Sequence, residues 1–339
     1  MKILVTGGGG YIGSVLVAEL IKGGHQVKCL DRFFFGKEPL SDVLSDSKLE
    51  IIKDDIRWFD PNILKDVDIV MDLAALSNDP AGELDPSKTF DINYIGRIRV
   101  ARLSKEYGVK RYILASSCSI YGFQEGLLDE SSTINPLTSY AKANSKAEED
   151  VLPLANSKFI VTVLRFATVY GYSRRMRFDL AINAMVLGLY KNAKIDLMRD
   201  GTQWRPFIHI KDVATAYKLT MTEPSDMING QIFNVGSDEQ NYQILYLAKL
   251  IGESLNIDFE IEWYGSKDFR SYKVSFEKFK KSVKFKPAYT PKEGAQEIFE
   301  ALKTGKIEES AKTKTVEWYK HLIASYNLTS EVAIRNTIL

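Results

Sequence analysis

The sequence has few of the side chains that build disulfide or metal sites. Among its 339 residues there are only two cysteines, Cys29 and Cys118, and three histidines. Two cysteines cannot form a disulfide framework, and the histidines lie far apart, without ligand-like spacing to cysteines or carboxylates. These scarcities exclude a disulfide-stapled secreted domain and predict no bound metal. They are typical of a chain in a reducing cytoplasm.

An excess of one charge and long apolar runs are also missing. The 45 Lys+Arg and 44 Asp+Glu residues leave a formal net charge of +1. A nucleic-acid coat or a polybasic membrane binder needs a net basic surface, so this balance argues against both. No apolar stretch reaches the roughly 18 residues that cross a bilayer, and the first residues show no signal-peptide pattern. We therefore expect no nucleic-acid partner, no membrane partner and a cytoplasmic location.

Short apolar runs alternate with helical patterns through the first half of the chain. The pattern predicts a helix over 11–21. It predicts strands over 2–5, 27–30, 49–52, 69–73, 111–115 and 161–164. Apolar, β-branched strands separated by helices are typical of an α/β fold with a doubly wound parallel sheet that helices cover on both faces.

The pattern changes after about Tyr170. Loops become longer, aromatic residues become more frequent, and further strands and helices are predicted around 207–216 and 231–235. This change predicts two domains that are interleaved in sequence. The first comprises 1–170 plus about 205–235, and the second about 171–204 plus 236–339.

A glycine-rich loop joins the first predicted strand to the first predicted helix. Gly7, Gly10 and Gly13 allow a tight turn, close approach to a pyrophosphate and close packing of helix on strand. The helix N-terminus then offers unpaired N–H groups and a partial positive charge to the phosphates. Asp31 ends the next predicted strand, near the spacing of about 20 residues expected of a ribose-binding carboxylate. It favours NAD over NADP, although Arg32 beside it weakens that preference. A glycine turn without a nucleotide is the alternative.

With these residues the sequence resembles the extended short-chain dehydrogenase/reductase family, the NAD-dependent nucleotide-sugar epimerases and dehydratases. The G-x-x-G-x-x-G spacing of the loop is that family's form. Similar segments follow along most of the chain, at 54–56, 72–75, 93, 116–122, 136–140, 164–171, 204–213 and 234–236. The resemblance implies a Rossmann domain that binds NAD and a smaller, interleaved C-terminal mixed α/β domain that binds a nucleotide-diphosphate sugar.

The resemblance also implies which residues contact the cofactor. These are Gly7, Gly10, Tyr11, Ile12, Gly13, Asp31, Arg32, Asp55, Ile56, Leu73, Ala74, Ala75, Asn93, Ser116, Tyr140 and Asn144.

The implied chemistry is hydride transfer between a sugar carbon, usually C4, and the nicotinamide. Tyr140 would remove the hydroxyl proton while Ser117 holds the sugar oxygen. The family places a lysine four residues after this tyrosine, whereas this chain has Asn144, which can bond ribose but brings no charge. Lys142 and Lys146 point away from the tyrosine's face of the helix. We therefore expect a slow or alkaline-shifted enzyme, unless the positive charge of the oxidised nicotinamide compensates.

The residues after Ser117 distinguish subclasses of the family. Sugar-nucleotide 4,6-dehydratases place Asp-Glu there, and Cys118-Ser119 cannot perform that acid–base pair at neutral pH. Chemistry restricted to C4 is therefore favoured, either epimerisation or net oxidation or reduction by a dehydrogenase or ketoreductase. A third reading, motivated by Asn144, is a catalytically weakened protein that only binds NAD and a nucleotide sugar.

Arginines of the second half and polar residues of both halves suggest where a diphosphate sugar binds, because planar guanidiniums bind a diphosphate bidentately. The candidate substrate residues are Ser77, Asn78, Ser117, Arg177, Asn183, Arg205 and Arg270. The alternative interpretation of the run of Arg174, Arg175 and Arg177 is a solvent-exposed charged surface that binds no ligand. Helices after Pro86 and Ser139 carry the family's usual pairing surface, so we expect a homodimer. We predict no function for the tail after about 301, which contains a Trp318-Tyr319 pair.

Overall fold

The computed structural model describes residues 1–266 and 268–333, so 267 and 334–339, within the predicted second domain, lie outside the described residues. The strands are β1 (Lys2–Thr6), β2 (Gln26–Asp31), β3 (Leu49–Lys53), β4 (Ile69–Asp72), β5 (Arg111–Ser117), β6 (Phe123–Leu128), β7 (Ile160–Phe166), β8 (Thr168–Tyr170), β9 (Lys194–Met198), β10 (Trp204–His209), β11 (Gln231–Val235), β12 (Asn241–Gln243), β13 (Glu260–Tyr264) and β14 (Ser271–Val274). The helices are α1 (Tyr11–Lys22), α2 (Asp79–Gly82), α3 (Pro86–Phe90), α4 (Arg97–Glu106), α5 (Ser139–Val151), α6 (Ala181–Asn192), α7 (Ile210–Thr220), α8 (Ser225–Ile228), α9 (Ile244–Leu255), α10 (Glu277–Val283), α11 (Pro291–Lys303) and α12 (Thr315–Val332).

Seven strands form one parallel sheet in the order β11-β7-β5-β4-β1-β2-β3. Alternate residues of β1 enter opposite cores: Ile3 and Val5 join one hydrophobic cluster and Leu4 the other, and all three are buried. A strand buried on both faces needs a continuous apolar run, which explains why β1 does not alternate with polar residues. The predicted doubly wound α/β sheet is confirmed.

The chain changes direction across this sheet at β1. The neighbours β2 and β3 lie on one side of β1, and β4, β5 and β7 lie on the other. In open α/β sheets the crevice at such a switch point, outside the carboxyl ends of the strands, is where ligands bind. The glycine loop after β1 and the segment after β4 both end at this crevice.

The described residues also form small sheets with strand orders β12-β10-β8, β13-β9 and β14-β6, and most of these strands come from the second half of the chain. The chain returns to the large sheet with β11, which pairs with β7. The strand β10 does not join the large sheet but pairs with β8 and β12. Pro206 within β10 has no N–H to give to a ladder, which disfavours it at the centre of a large sheet. The division into two domains stays a prediction.

Within 1–266 and 268–333, no helix has the length and hydropathy needed to cross a membrane. The same residues bring no three His, Cys, Asp or Glu side chains together as a potential metal site.

Candidate active site

The glycine loop forms a close-fitting turn between β1 and α1. Gly7 has a φ of +71°, and a Cβ there would lie 2.9 Å from the Ala74 backbone. A Cβ on Gly13 would lie 2.1 Å from the carbonyl oxygen of Gly7. The N-cap of α1 is Gly10, which has no side chain to bond the first N–H groups of the helix. The loop therefore leaves a cradle of backbone donors of the kind that binds a pyrophosphate.

A cavity of about 690 Å³ opens beside this loop, within the volume range of small-molecule sites. Its wall contains all of the predicted site residues except Asn93, Asn144 and Asn183. Those that line it are Gly7, Gly10, Tyr11, Ile12, Gly13, Asp31, Arg32, Asp55, Ile56, Leu73, Ala74, Ala75, Ser77, Asn78, Ser116, Ser117, Tyr140, Arg177, Arg205 and Arg270.

Asp31 and its neighbours form the end of the cavity that suits a ribose. Its carboxylate accepts N–H bonds from Gly9, at 2.9 Å, and from Phe33, at 2.6 Å. Burial raises the pKa of Asp31, while these two bonds lower it. A carboxylate has about four lone-pair sites, so acceptor capacity remains for ribose hydroxyls. Arg32 is turned toward Asp55, to which it donates at 2.9 Å, and its charge is paired there.

The tyrosine and serine predicted for catalysis meet in the cavity wall from different elements. Ser117 ends β5, and Tyr140 lies in the first turn of α5, which Thr138 caps by accepting the Ala141 N–H at 3.2 Å. The Ser117 Oγ accepts the Ser119 N–H at 3.1 Å. That bond uses one of its lone pairs and leaves its O–H able to donate to a ligand oxygen.

Several groups act on the Tyr140 hydroxyl. Loss of water contact in the wall raises the pKa of Tyr140, and the Asp79 carboxylate adds to this increase. The Arg97 guanidinium opposes it most strongly, followed by the Asn144 amide and the Ser117 hydroxyl, which also lower the pKa.

Asn144 lies behind the cavity wall and not in it. It is buried, and its Oδ1 accepts a hydrogen bond of 2.8 Å from Nη1 of Arg97. The predicted contact between Asn144 and the cofactor ribose is therefore not supported by its position. Arg97, which we did not predict, lines the cavity instead. The only related signal in the sequence was the lack of a positive charge at 144, which does not identify Arg97.

The other two predicted residues outside the wall hold the backbone together. Asn93 accepts the Leu76 N–H at 2.8 Å and donates to the Leu76 carbonyl at 3.0 Å, so it holds the loop after β4. Asn183 donates to the Tyr11 hydroxyl and the Arg177 carbonyl and accepts the Gly171 N–H. Both amides bond protein groups and lie outside the cavity wall, so their predicted ligand contacts stay predictions without support from their position.

The candidate substrate end is rich in paired arginines. Arg205 and Arg270 both bind the Asp268 carboxylate, with bonds of 2.9 Å, and Arg270 also pairs with Asp79. Asp268 thus holds the two guanidiniums side by side. This pair lies in the part of the wall that β10 and β14 contribute.

Arg177 lines the cavity from the segment after β8. It binds Asp179 through two bonds of 3.0 Å and donates to the Ser77 hydroxyl at 3.2 Å. Asn78 donates to the same Asp179 carboxylate at 2.9 Å. The arginine run is therefore not one solvated face: Arg175 is also buried, whereas Arg174 is partly exposed and pairs with Asp42.

The C-terminal helix α12 completes one side of the cavity, a contribution we did not predict. Its Val316 and Tyr319 are in the wall. The Tyr319 ring packs against Phe34 and Phe35, with ring centroids 5.9 and 5.6 Å apart. Trp318 Nε1 donates to the Phe34 carbonyl at 2.7 Å. The aromatic pair was visible in the sequence, but nothing local related it to residues near 34.

Cys118 takes no part in the wall. Its thiol is buried and donates to the Arg165 carbonyl at 3.3 Å, and burial raises its pKa well above its usual value. Ser119, one residue on, does line the cavity.

The sheet and the cradle at its switch point define a dinucleotide-binding α/β protein. The profile of the NAD dependent epimerase/dehydratase family matches residues 3–236, more than half of the chain. The protein belongs to this family. The predicted cofactor, NAD, is confirmed as that of the family, and several similar proteins are named for UDP-sugars.

Relatives within the family carry more than one activity. The chain is 28% identical over 273 residues to a UDP-glucose 4-epimerase of Lactobacillus helveticus, covering 74% of this chain and 82% of that protein. It is 27% identical over 319 residues to a UDP-N-acetyl-alpha-D-glucosaminuronate decarboxylase of Bacillus cytotoxicus, covering 88% and 97%. The solved structure of MoeE5 in complex with UDP-glucuronic acid and NAD is similar, with a TM-score of 0.80 at 26% identity and coverage of 90% and 100%.

Proposed function

We propose that this protein transfers hydride at C4 of a nucleotide-diphosphate sugar, with Tyr140 as the base and Ser117 as the donor that orients the hydroxyl. The observation that carries the proposal is their position. Both line the same cavity as the glycine cradle, while the paired Arg205 and Arg270 line it on the side that β10 and β14 form.

The chain's residues provide for each part of the reaction. The glycine cradle and Asp31 would hold NAD, which would supply the acceptor and donor of the C4 hydride. The Tyr140 phenolate takes the C4 hydroxyl proton, and the Ser117 O–H bonds the sugar oxygen while it becomes a carbonyl. When the ketone is reduced, the Tyr140 phenol returns its proton to that oxygen. Transfer to the same face regenerates the substrate, and transfer to the opposite face yields the C4 epimer.

The diphosphate would lie against Arg205 and Arg270. Asp268 already holds both guanidiniums in place, so little side-chain entropy is lost when a diphosphate binds between them. The relatives that the chain resembles are named for UDP-sugars, and we therefore propose UDP as the nucleotide.

The residues beside Ser117 support a reaction confined to C4. A 4,6-elimination needs an acid and a base near C5 and C6. Cys118 is buried away from the wall, and Ser119 is not an acid at neutral pH. If the sugar carries a C6 carboxylate, the C4 ketone is a β-keto acid that can lose CO₂. The reaction products therefore separate epimerase, net oxidoreductase and decarboxylase activities.

The test is incubation of the purified protein and NAD with UDP-, GDP-, CDP- and dTDP-sugars, some deuterated at C4. Sugar products are followed by NMR and bound NADH by absorbance. We expect turnover of at least one sugar with C4 deuterium reaching the cofactor. Tyr140→Phe should lose about 10²- to 10⁴-fold in kcat.

The matched control is Tyr190→Phe, at a tyrosine that packs on Phe299 outside the cavity. Full activity in Tyr140→Phe would contradict the proposed role of the tyrosine. An absence of product and of cofactor reduction with every sugar would instead favour the weakened binding protein. The homodimer through the helices that begin at Pro86 and Ser139 stays a prediction, and light scattering can measure whether the protein is a dimer. The cytoplasmic location also stays a prediction.

A further inference from the structure

Arg97 is a buried cation in the wall of the active-site cavity. It is 1% exposed and begins α4, directly after a π-helical turn over Asp91–Gly96. Such a turn inserts an extra residue and re-aims the side chains that follow, and it is frequent at functional sites. Arg97 and Asn144 lie 47 residues apart in sequence, on neighbouring helices.

Within the described residues, none of the hydrogen bonds of Arg97 is to a carboxylate. Nη1 donates to Asn144 Oδ1 at 2.8 Å, Nη2 reaches the Asp72 main-chain carbonyl at 3.4 Å, and Nε has no partner among the described residues. The Asp72 carboxylate is bound by Thr6 and Tyr112. A buried cation without an anion is costly, so a structure that retains one suggests a negative charge that forms nearby during function.

We propose that Arg97 is the cation that stabilises the phenolate of Tyr140, in place of a lysine at 144. The inference rests on the proposed role of Tyr140 as the base. Asn144 is then a positioning residue. A guanidinium only donates, so its bond to Oδ1 turns Nδ2, the donor end of the Asn144 amide, away from Arg97. Nδ2 has no partner of normal geometry in the described structure, but the amide is close enough to Tyr140 to lower its pKa.

The other charged groups that face Tyr140 are already paired. Asp79 on α2 raises its pKa, but this carboxylate binds Arg270 and the Thr138 hydroxyl. Arg177, after β8, interacts with Tyr140 but forms its own ion pair with Asp179. Within the described residues, Arg97 is therefore the cation acting on Tyr140 that forms no ion pair with a carboxylate. This charge offsets part of the effect of burial, which still leaves the pKa of Tyr140 above its usual value.

The experiment measures the titration of Tyr140 directly. The protein is labelled with difluorotyrosine, whose phenol has a lower pKa than that of tyrosine, and is followed by ¹⁹F NMR. The resonance of Tyr140 is the one absent from Tyr140→Phe. Arg97→Met keeps a long stem without the charge and should raise the pKa of residue 140 by about 1 to 3. Arg97→Lys should keep it within about 1 of the parent.

Two further variants separate charge from structure. Arg97→Met with Asn144→Lys should restore the parent titration, because the new ammonium lies one helical turn from Tyr140. Arg99→Gln is the matched control: it removes a charge from the same helix, but Arg99 packs on Phe59 outside the cavity and should leave the titration unchanged. In kinetics, Arg97→Met should reduce kcat/KM at pH 7 by about 10- to 1000-fold and move the acidic limb of its pH profile upward.

An unchanged Tyr140 titration in folded Arg97→Met, checked by circular dichroism, would overturn the inference. If Arg97→Met does not fold, the Arg97→Met/Asn144→Lys double variant provides the test. A folded double variant in which Tyr140 titrates as in the parent supports the inference that Tyr140 needs a nearby cation. A raised pKa of Tyr140 in the double variant refutes the inference. The titration needs no substrate. A loss of turnover in Tyr140→Phe together with an unmoved titration in Arg97→Met would therefore refute this inference and leave the proposed function standing.

Discussion

At the scale of single residues, neighbours in space decide what a motif residue can do. Arg32 follows Asp31 in the sequence and would seem to invite a 2′-phosphate. In the fold its guanidinium pairs with Asp55, which Arg57 also binds. The positive charge is thus balanced, and the carboxylate of Asp31 dominates its end of the cavity. This supports the preference for NAD.

That preference can be tested at Asp31. Asp31→Asn keeps an acceptor but removes the charge that repels a 2′-phosphate. We expect NAD to bind about tenfold more weakly, a cost of about 1.4 kcal/mol, and NADP to bind more tightly. Calorimetric titration of both cofactors measures the ratio. Asp42→Asn, which alters an exposed pair with Arg174, should change neither. An unchanged ratio in Asp31→Asn would show that the carboxylate does not select the cofactor.

At the scale of elements, α12 shows how a helix can join a site from a distance. The segment it covers, just after Asp31, carries the aromatic residues Phe34 and Phe35. The helix contacts them through Tyr319 and through the bond from Trp318 to the Phe34 carbonyl. The Arg175 guanidinium also packs on the Phe35 ring, 3.6 Å from its centroid. α12 therefore fastens the loop beside the cofactor's end of the cavity.

Loosening this helix should speed cofactor release. Trp318→Phe keeps an aromatic ring but removes the donor to the Phe34 carbonyl, a bond worth about 1 kcal/mol. We expect NAD to dissociate about fivefold faster, as measured by stopped-flow fluorescence, with little change in thermal stability. Tyr326→Phe, at an exposed position on the same helix, should match the parent. Equal rates for the parent and Trp318→Phe would show that α12 does not retain the cofactor.

At the scale of the whole molecule, Glu297 on α11 ties the second half of the chain together. Its carboxylate binds His209, at the end of β10, with a separation of 3.0 Å, and also binds Lys211 on α7. It also accepts the Tyr172 N–H at 3.3 Å. Burial alone would raise its pKa, but the bonds from His209 and Lys211 outweigh burial and lower the pKa of Glu297 to about 2.

Because folding lowers the pKa of the Glu297 carboxyl, the free energy of unfolding depends on pH. The contribution of Glu297 is fully present above its unfolded pKa of about 4.5 and is lost as the pH falls from there toward 2. Its size is about 2 to 3 kcal/mol. Glu297→Gln should lower the urea midpoint at pH 7 and flatten its decline between pH 5 and 3. Glu300→Gln, an exposed neighbour on α11 that pairs with Lys303, should keep the parent's pH dependence. A parental decline in Glu297→Gln would assign the acid sensitivity to other carboxylates.

Sequence patterns were enough to predict the sheet and the glycine loop, and to select Asp31, Ser117 and Tyr140 as candidates that line one cavity. Apolar periodicity, backbone freedom at glycine and spacing along one strand or helix are local properties, and local properties survive in a linear sequence. Only the tertiary structure shows that Asn93 and Asn183 bond neighbouring backbone behind the wall, that α12 closes one side and that Arg97 lines the cavity and bonds Asn144. Burial and charge pairing depend on residues far apart in sequence, so the absence of a lysine is visible at 144 in the sequence, whereas the position of Arg97 is visible only in three dimensions.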